Sequence, residues 1–118
     1  MTNRKAELGE LETLVMLAAL RLSGTGSVRR IREEVATRGG RSISRGAMYA
    51  TVSRLERKGL LQRGERHLGA GGQQQQNFDV TEEGLTRLRT AHQRLQRMRS
   101  GLETILDAKL DARLDAKP

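Results

Sequence analysis

The sequence predicts a mainly α protein with one small two-stranded antiparallel hairpin, an α+β chain whose last third is helical. Three observations lead to that expectation. Apolar residues recur at spacings of three and four in four separate stretches, and glycine follows each of the first three, which is the pattern of amphipathic helices with stops at their C-terminal ends. Between the third and fourth stretches lies the Gly-rich segment His67 to Gly72, flanked by Leu60 to Arg66 and Gln76 to Val80, an arrangement that closes a hairpin. Finally, one Phe, one Tyr and no Trp occur in 118 residues, so the core must be built from Leu, Val, Ile, Met and Ala, the usual filling of small helical domains.

A chain of 118 residues has room for one modest core plus a helical appendage. The expected division is a compact domain over 1–80 and a C-terminal helix over 81–118 with a frayed tail. With no cysteine there is neither a disulfide framework nor a Cys-type zinc site, which is compatible with a reducing cytoplasm. The apolar run Leu14 to Leu20 is too short to span a bilayer and does not read as a secretory leader. The net charge of +8 is concentrated: residues 27–66 hold 11 basic and 4 acidic side chains, against 3 and 3 before them and 8 and 7 after them. Such a basic block suits a polyanionic partner, because each cation that neutralises a phosphate releases condensed counterions. An Arg-rich composition alone would give the charge, but not its coincidence with a capped helix.

Lys5 to Leu22 reads as the first helix. Leu8, Leu11, Val15 and Leu22 repeat at helical spacing, and Glu7, Glu10 and Glu12 crowd the N-terminal half, where the helix dipole favours anions. Leu14 to Leu20 is apolar nearly all round, so this helix needs two partners: its own core, and either a second subunit or the C-terminal helix. Ser23 to Gly26 reads as a turn. Ser27 then caps a second helix that points Val28, Ile31 and Val35 inward and Arg29, Arg30 and Arg32 outward, before it stops at Arg38-Gly39-Gly40. Those arginines either anchor phosphates or form a solvated face beside Glu33 and Glu34.

The stretch Ser42 to Leu61, SISRGAMYATVSRLERKGLL, holds the third helix, with Ser44 as its N-cap and Gly59 as its stop. Met48, Val52 and Leu55 share one face; at about 100° per residue the opposite face carries Gly46, Ala50, Ser53 and Arg57, flanked by Tyr49 and Arg54. Small residues at the point of closest approach, with Arg or Tyr at the margins, suit a helix that lies deep in a groove of DNA. In the hairpin, Leu61, Phe78 and Val80 supply the inner face, and the run Gln73 to Gln76 reads as a solvated limb. Thr81 caps a long last helix with Glu82 and Glu83 in its first turn, and Leu88, Ala91, Leu95, Met98, Leu102 and Ile105 form an alternating seam that argues for a partner helix. Gly101 is a weak point in it. Beyond the seam the apolar spacing becomes four, at Leu106, Leu110 and Leu114, while Asp107, Asp111 and Asp115 repel one another at the same spacing.

Three helices, a hairpin and a long helix follow one another in the winged helix-turn-helix order. The segments LGELETLVMLAAL (Leu8 to Leu20), IREEV (Ile31 to Val35), SRGAMYATVSRLERKGLL (Ser44 to Leu61) and VTEEG (Val80 to Gly84) together closely resemble the PadR family of bacterial transcriptional regulators, over about residues 8 to 88. The resemblance implies a dimer in which the C-terminal helix packs on the partner's and on its first helix, with a tail similar to the subfamily that has one such helix. It assigns major-groove insertion to the helix from Ser44 and a backbone contact to Tyr49. Two departures stand out: Gly26-Ser27 replaces a Tyr-Gly pair of many relatives, and Gln73 to Gln76 replaces a basic run in the wing. Amides release no counterions, so the wing is expected to add little affinity, with Arg63 and Arg66 as its phosphate contacts. Many relatives bind aromatic effectors, but Tyr49 is committed to DNA and Phe78 to the hairpin core, so no residue here speaks for an effector.

The expectation is a non-enzymatic bacterial repressor, cytoplasmic and associated with the nucleoid, that binds a palindromic operator of double-stranded DNA as a homodimer. Its expected DNA contacts are Ser44, Arg45, Gly46, Tyr49, Ala50, Ser53, Arg54 and Arg57, with Arg29, Arg30, Arg63 and Arg66 on phosphates. Its expected dimer contacts are Leu11, Leu88, Leu95, Met98, Leu102 and Ile105. No cofactor, metal or membrane is expected. The alternative is a winged-helix interaction module that binds an acidic protein, favoured by the neutral wing. His67 and His92 are the only histidines, and no nucleophile or metal-ligand spacing accompanies them; His67 reads as a wing-tip residue and His92 as a surface or seam residue.

Overall fold

Caps and packing together fix the helices. In this computed structural model, which describes residues 8–68, 72 and 74–116, the elements are α1 (Glu10–Arg21), β1 (Gly26–Ser27), α2 (Val28–Thr37), α3 (Arg45–Arg57), β2 (Leu61–Leu68), β3 (Gln74–Val80), α4 (Glu82–Arg99) and α5 (Glu103–Asp115). The first helix begins at Glu10 rather than at the expected Lys5, because Gly9 is extended (φ −72°, ψ 168°) and its N–H is held by Glu12 Oε1 at 3.0 Å; Gln73 of the glutamine run and the His67 side chain lie outside the described residues. The three expected caps form. Ser27 Oγ accepts from Arg30 N–H at 3.3 Å, Ser44 Oγ from Ala47 N–H at 3.1 Å, and Thr81 Oγ1 from Gly84 N–H at 3.0 Å. Each satisfies a backbone donor that the first turn leaves without a partner.

The chain divides after Leu88 into two compact units. The first holds one core, in which Met16, Ile31, Met48, Leu55 and Leu61 are fully buried, with Val52, Phe78 and Val80 nearly so. Burying such side chains is worth about 1.5–3 kcal/mol each, so α3 is held by its inner face against α1 and α2 rather than by helix propensity. Leu11 packs partly buried against this core, and Leu88 lies within it. The second face of α1 has no such cover in the first unit, where Leu17 and Leu20 are exposed.

The sheet has three strands in the order β1-β3-β2, all antiparallel. β1 is an addition to the expected hairpin: Gly26 and Ser27 pair with Phe78 and Asn77, so Ser27 both joins the sheet and caps α2. Two residues are too few to show an alternating pattern, and that is why the sequence reads them as turn. β2 and β3 run two residues further toward the tip than expected, with Leu68 paired to Gln74. A bulge interrupts the register between Arg63 and Arg66, which twists the outer strand locally.

Two glycines fix how the elements meet. Gly59, at φ +76°, ends α3, and its neighbour Leu60 donates its N–H to the Leu55 carbonyl at 2.9 Å, a C-terminal motif that only an αL residue allows cheaply. At Gly84 a Cβ would collide with the Leu60 carbonyl oxygen and lie 2.7 Å from Val80 Cγ1, so the first turn of α4 can sit here only as glycine.

The expected long C-terminal helix is two helices. Gly101 adopts φ +82°, α4 stops at Arg99, and α5 resumes at Glu103. The cause is local: glycine takes the left-handed conformation without steric cost, and Leu102 N–H closes a turn on the Arg99 carbonyl at 2.8 Å.

Candidate nucleic-acid interface

The outer face of α3 has the composition its spacing predicts. Arg45, Gly46, Tyr49, Ala50, Ser53, Arg54 and Arg57 are all exposed, while Met48, Thr51, Val52 and Leu55 are buried. Tyr49 keeps 59% of its surface accessible, an unusual exposure for the chain's only tyrosine. Nothing lies within 4 Å of where a Cβ on Gly46 would stand, so the small residue here is not required by the chain's own packing.

The cations around this face are not equivalent. Among the described residues the Arg45 and Arg57 side chains meet no hydrogen-bond or ion-pair partner, which leaves both available to an outside anion. Arg29 Nε meets Glu33 at 3.3 Å in an exposed pair, the kind worth under about 1 kcal/mol and easily exchanged for a phosphate. Arg30 hydrogen-bonds the Thr25 carbonyl at 3.1 Å. Arg32, expected to face outward, instead donates to the Ile43 carbonyl at 2.6 Å and ties α2 to the turn before α3.

Arg54 also has an internal duty. Its Nε lies 3.3 Å from Glu12 Oε2, and Lys58 Nζ reaches the same oxygen at 2.8 Å. Glu12 Oε1 accepts the Gly9 N–H at 3.0 Å. Glu12 is only 7% exposed, and burial pushes its carboxyl up. Lys58, the Gly9 N–H and Arg54 together outweigh that and hold the group below its ordinary range. This buried role is not visible in the charge pattern, in which Glu12 looks like one of three acids placed to favour the helix dipole. A signal was present: 12, 15, 16 and 19 form one inward stripe on α1, and a carboxylate in an apolar stripe needs buried partners.

The wing carries fewer free charges still. Arg63 Nε pairs with Glu56 at 2.7 Å, and Arg66 Nε donates to Gln76 Oε1 at 3.1 Å. The Gln76 amide in turn donates to the Gly64 carbonyl at 2.6 Å. A groove of about 320 Å³ between α2, α3 and the hairpin brings Arg29, Tyr49, Ser53, Arg63 and Gln76 together; Arg30, Arg45, Arg57 and Arg66 are not among its lining. Phe78 is buried at the floor of this region, as expected of the hairpin core.

No protein-family model matches the chain. No curated protein matches either. Solved structures do. A PadR family transcriptional regulator from Eggerthella lenta is 28% identical, with 82% of this chain and 86% of that one covered at a TM-score of 0.60. A PadR family transcription regulator from Clostridium difficile is 20% identical, with 83% and 99% covered at 0.62. The chain has the PadR-type winged-helix fold. A winged-helix DNA-binding protein from STIV is similar as well, at 20% identity, with 78% of this chain and 95% of that one covered at a TM-score of 0.58. In the winged helix α3 is the third helix and β2–β3 form the wing.

Among the described residues no three His, Asp or Glu side chains cluster to hold a metal ion, and no helix is long and apolar enough to cross a membrane. In the second unit Leu95, Met98, Leu102 and Ile105 are all exposed.

Proposed function

We propose that this protein is a DNA-binding transcriptional regulator of the PadR type, a homodimeric repressor that inserts α3 into the major groove of a two-fold symmetric operator. The observation that carries this reading is the outer face of α3: Gly46, Ala50 and Ser53 form a small, open surface, with Arg45, Arg57 and the exposed Tyr49 around it. Small residues let a helix approach base edges closely, and the surrounding Arg and Tyr reach phosphates. Solved structures of the same fold described as transcriptional regulators support it. Arg29 approaches the same groove from α2, and its exposed pair with Glu33 exchanges readily for phosphate.

The wing contributes less charge than α3, because its glutamine-rich strand releases no counterions and Arg63 shares its charge with the partly buried Glu56; Arg66, which donates only to the neutral Gln76 amide, keeps its charge for a phosphate. The affinity therefore rests on α3 and on the start of α2. Two recognition helices about one DNA turn apart would read the two half-sites, and the bound dimer would block polymerase. Selecting fragments of host genomic DNA with the purified protein tests the proposal. A two-fold symmetric sequence with half-sites about one turn apart is expected to be enriched; no enrichment over input would overturn it and favour an acidic protein as the partner.

A further inference from the structure

We infer that Glu12, on α1, is a positioning residue for DNA recognition: it fixes the Arg54 guanidinium on α3 so that Arg54 reads the edge of a guanine rather than a phosphate. The inference rests on the proposed entry of α3 into the major groove and names a base reader within it.

Geometry is the first observation. Side chains on a helix lean toward its N-terminus, so Arg54 lies over the preceding turn. There its Nη2 donates to Thr51 Oγ1 at 3.4 Å, while its Nε donates to Glu12 Oε2 at 3.3 Å. Both acceptors are themselves held. Thr51 is buried, and its hydroxyl donates to the Ala47 carbonyl at 2.8 Å; Glu12 is buried, with its other oxygen on the Gly9 N–H. Of the five guanidinium donors these two bonds use two and leave three. The Arg54 side chain keeps 44% of its surface accessible, and its exposed neighbours on that side of α3, Ala47 and Ala50, are small.

A tie between α1 and α3 does not need this arrangement. Lys58 Nζ already holds Glu12 Oε2 at 2.8 Å and is the better buried of the two cations, at 24% against 44%. A second cation on the same oxygen adds repulsion, because Arg54 and Lys58 stand four residues apart on α3. What it gains is orientation. A free arginine gives up rotamer freedom on binding and serves any phosphate, whereas a guanidinium whose plane is set in advance loses less for each hydrogen bond it forms. Planar donors in a fixed direction suit the O6 and N7 acceptors of guanine.

The charges give the sign of the test. One carboxylate and two cations carry +1 together, and Glu12→Gln makes that +2. Loss of packing weakens all DNA binding, but loss of orientation weakens discrimination alone.

Affinities for the selected operator and its single-base substitutions, taken where circular dichroism shows each variant folded, test the inference. Arg54→Ala is expected to remove a preference of roughly 5- to 150-fold at one G·C pair of each half-site. Arg54→Lys, which keeps the charge without the planar fork, is expected to lose most of it. Glu12→Gln is expected to weaken the same preference by about fivefold or more and no other, while the salt slope on unrelated DNA steepens by about 0.9 per protomer. Combined with Arg54→Ala it is expected to change no preference further. Should Glu12→Gln fail to fold, Thr51→Val removes the other anchor and is expected to weaken the same position. Unchanged discrimination in Glu12→Gln, or in Thr51→Val standing in for it, would overturn the inference and leave the DNA reading intact. So would an even loss at all positions, or an Arg54→Ala or Arg54→Lys variant that keeps every preference. If no operator is enriched at all, the DNA reading falls and takes this inference with it.

Discussion

Replacing Gly46 with Leu is expected to abolish specific operator binding while leaving the protein folded. In the free chain the position is open, with nothing within 4 Å of an added Cβ, and Leu is the better helix former by nearly 1 kcal/mol. Thermal stability should therefore hold or rise slightly. In the complex, the same side chain would fill the space that base edges must occupy. The expected loss is roughly a thousandfold in affinity, the order of the gap between specific and non-specific complexes. Gel-shift titration beside a thermal melt separates the two effects. Undiminished affinity would mean that α3 does not enter the groove by this face.

The second large effect concerns Glu12. Replacement by Gln removes the charge that Lys58 and Arg54 share and weakens the tie between α1 and α3. Hydrogen bonds between charged groups contribute about 1.5–3 kcal/mol, and both cations keep partial access to water, so a loss of about 2 kcal/mol is expected. The pH dependence carries the sign. Because the folded-state pKa is held below its ordinary value of 4.5, Glu12 contributes stability that is present above that value and disappears as pH falls through the lower folded value. Urea midpoints of the unmodified protein should drop steeply in that acid window. Those of Glu12→Gln should be lower at neutral pH and flatter below 4.5. Parallel profiles would show that the carboxylate is not charged and paired in the folded state.

Much of the first unit was legible in the sequence because its cues are local. Ser27, Ser44 and Thr81 each announce a helix start within a few residues, and Gly59 a stop, so those boundaries follow from short-range chemistry. The inner face of α3 was legible because Met48, Val52 and Leu55 repeat at helical spacing. What was not legible depends on partners far along the chain. β1 exists only because β3 lies beside it. Arg32 and Arg54 look like free cations until Ile43 and Glu12, which the fold brings near, are seen to hold them. Gly101 is a weak point by composition, yet spacing alone gives no reason for the helix to stop there rather than continue. Leu88 fits the seam equally well by period, and only packing shows it in the core.

The central claim is that α3 and its neighbouring cations bind DNA through its phosphates as well as its bases. Its most direct test is the operator affinity measured against salt concentration. With Arg29, Arg30, Arg45 and Arg57 of both protomers on phosphates, the log–log slope is expected to be steep, roughly −7, at about −0.9 for each neutralised phosphate. A slope near zero for the same DNA would contradict the account.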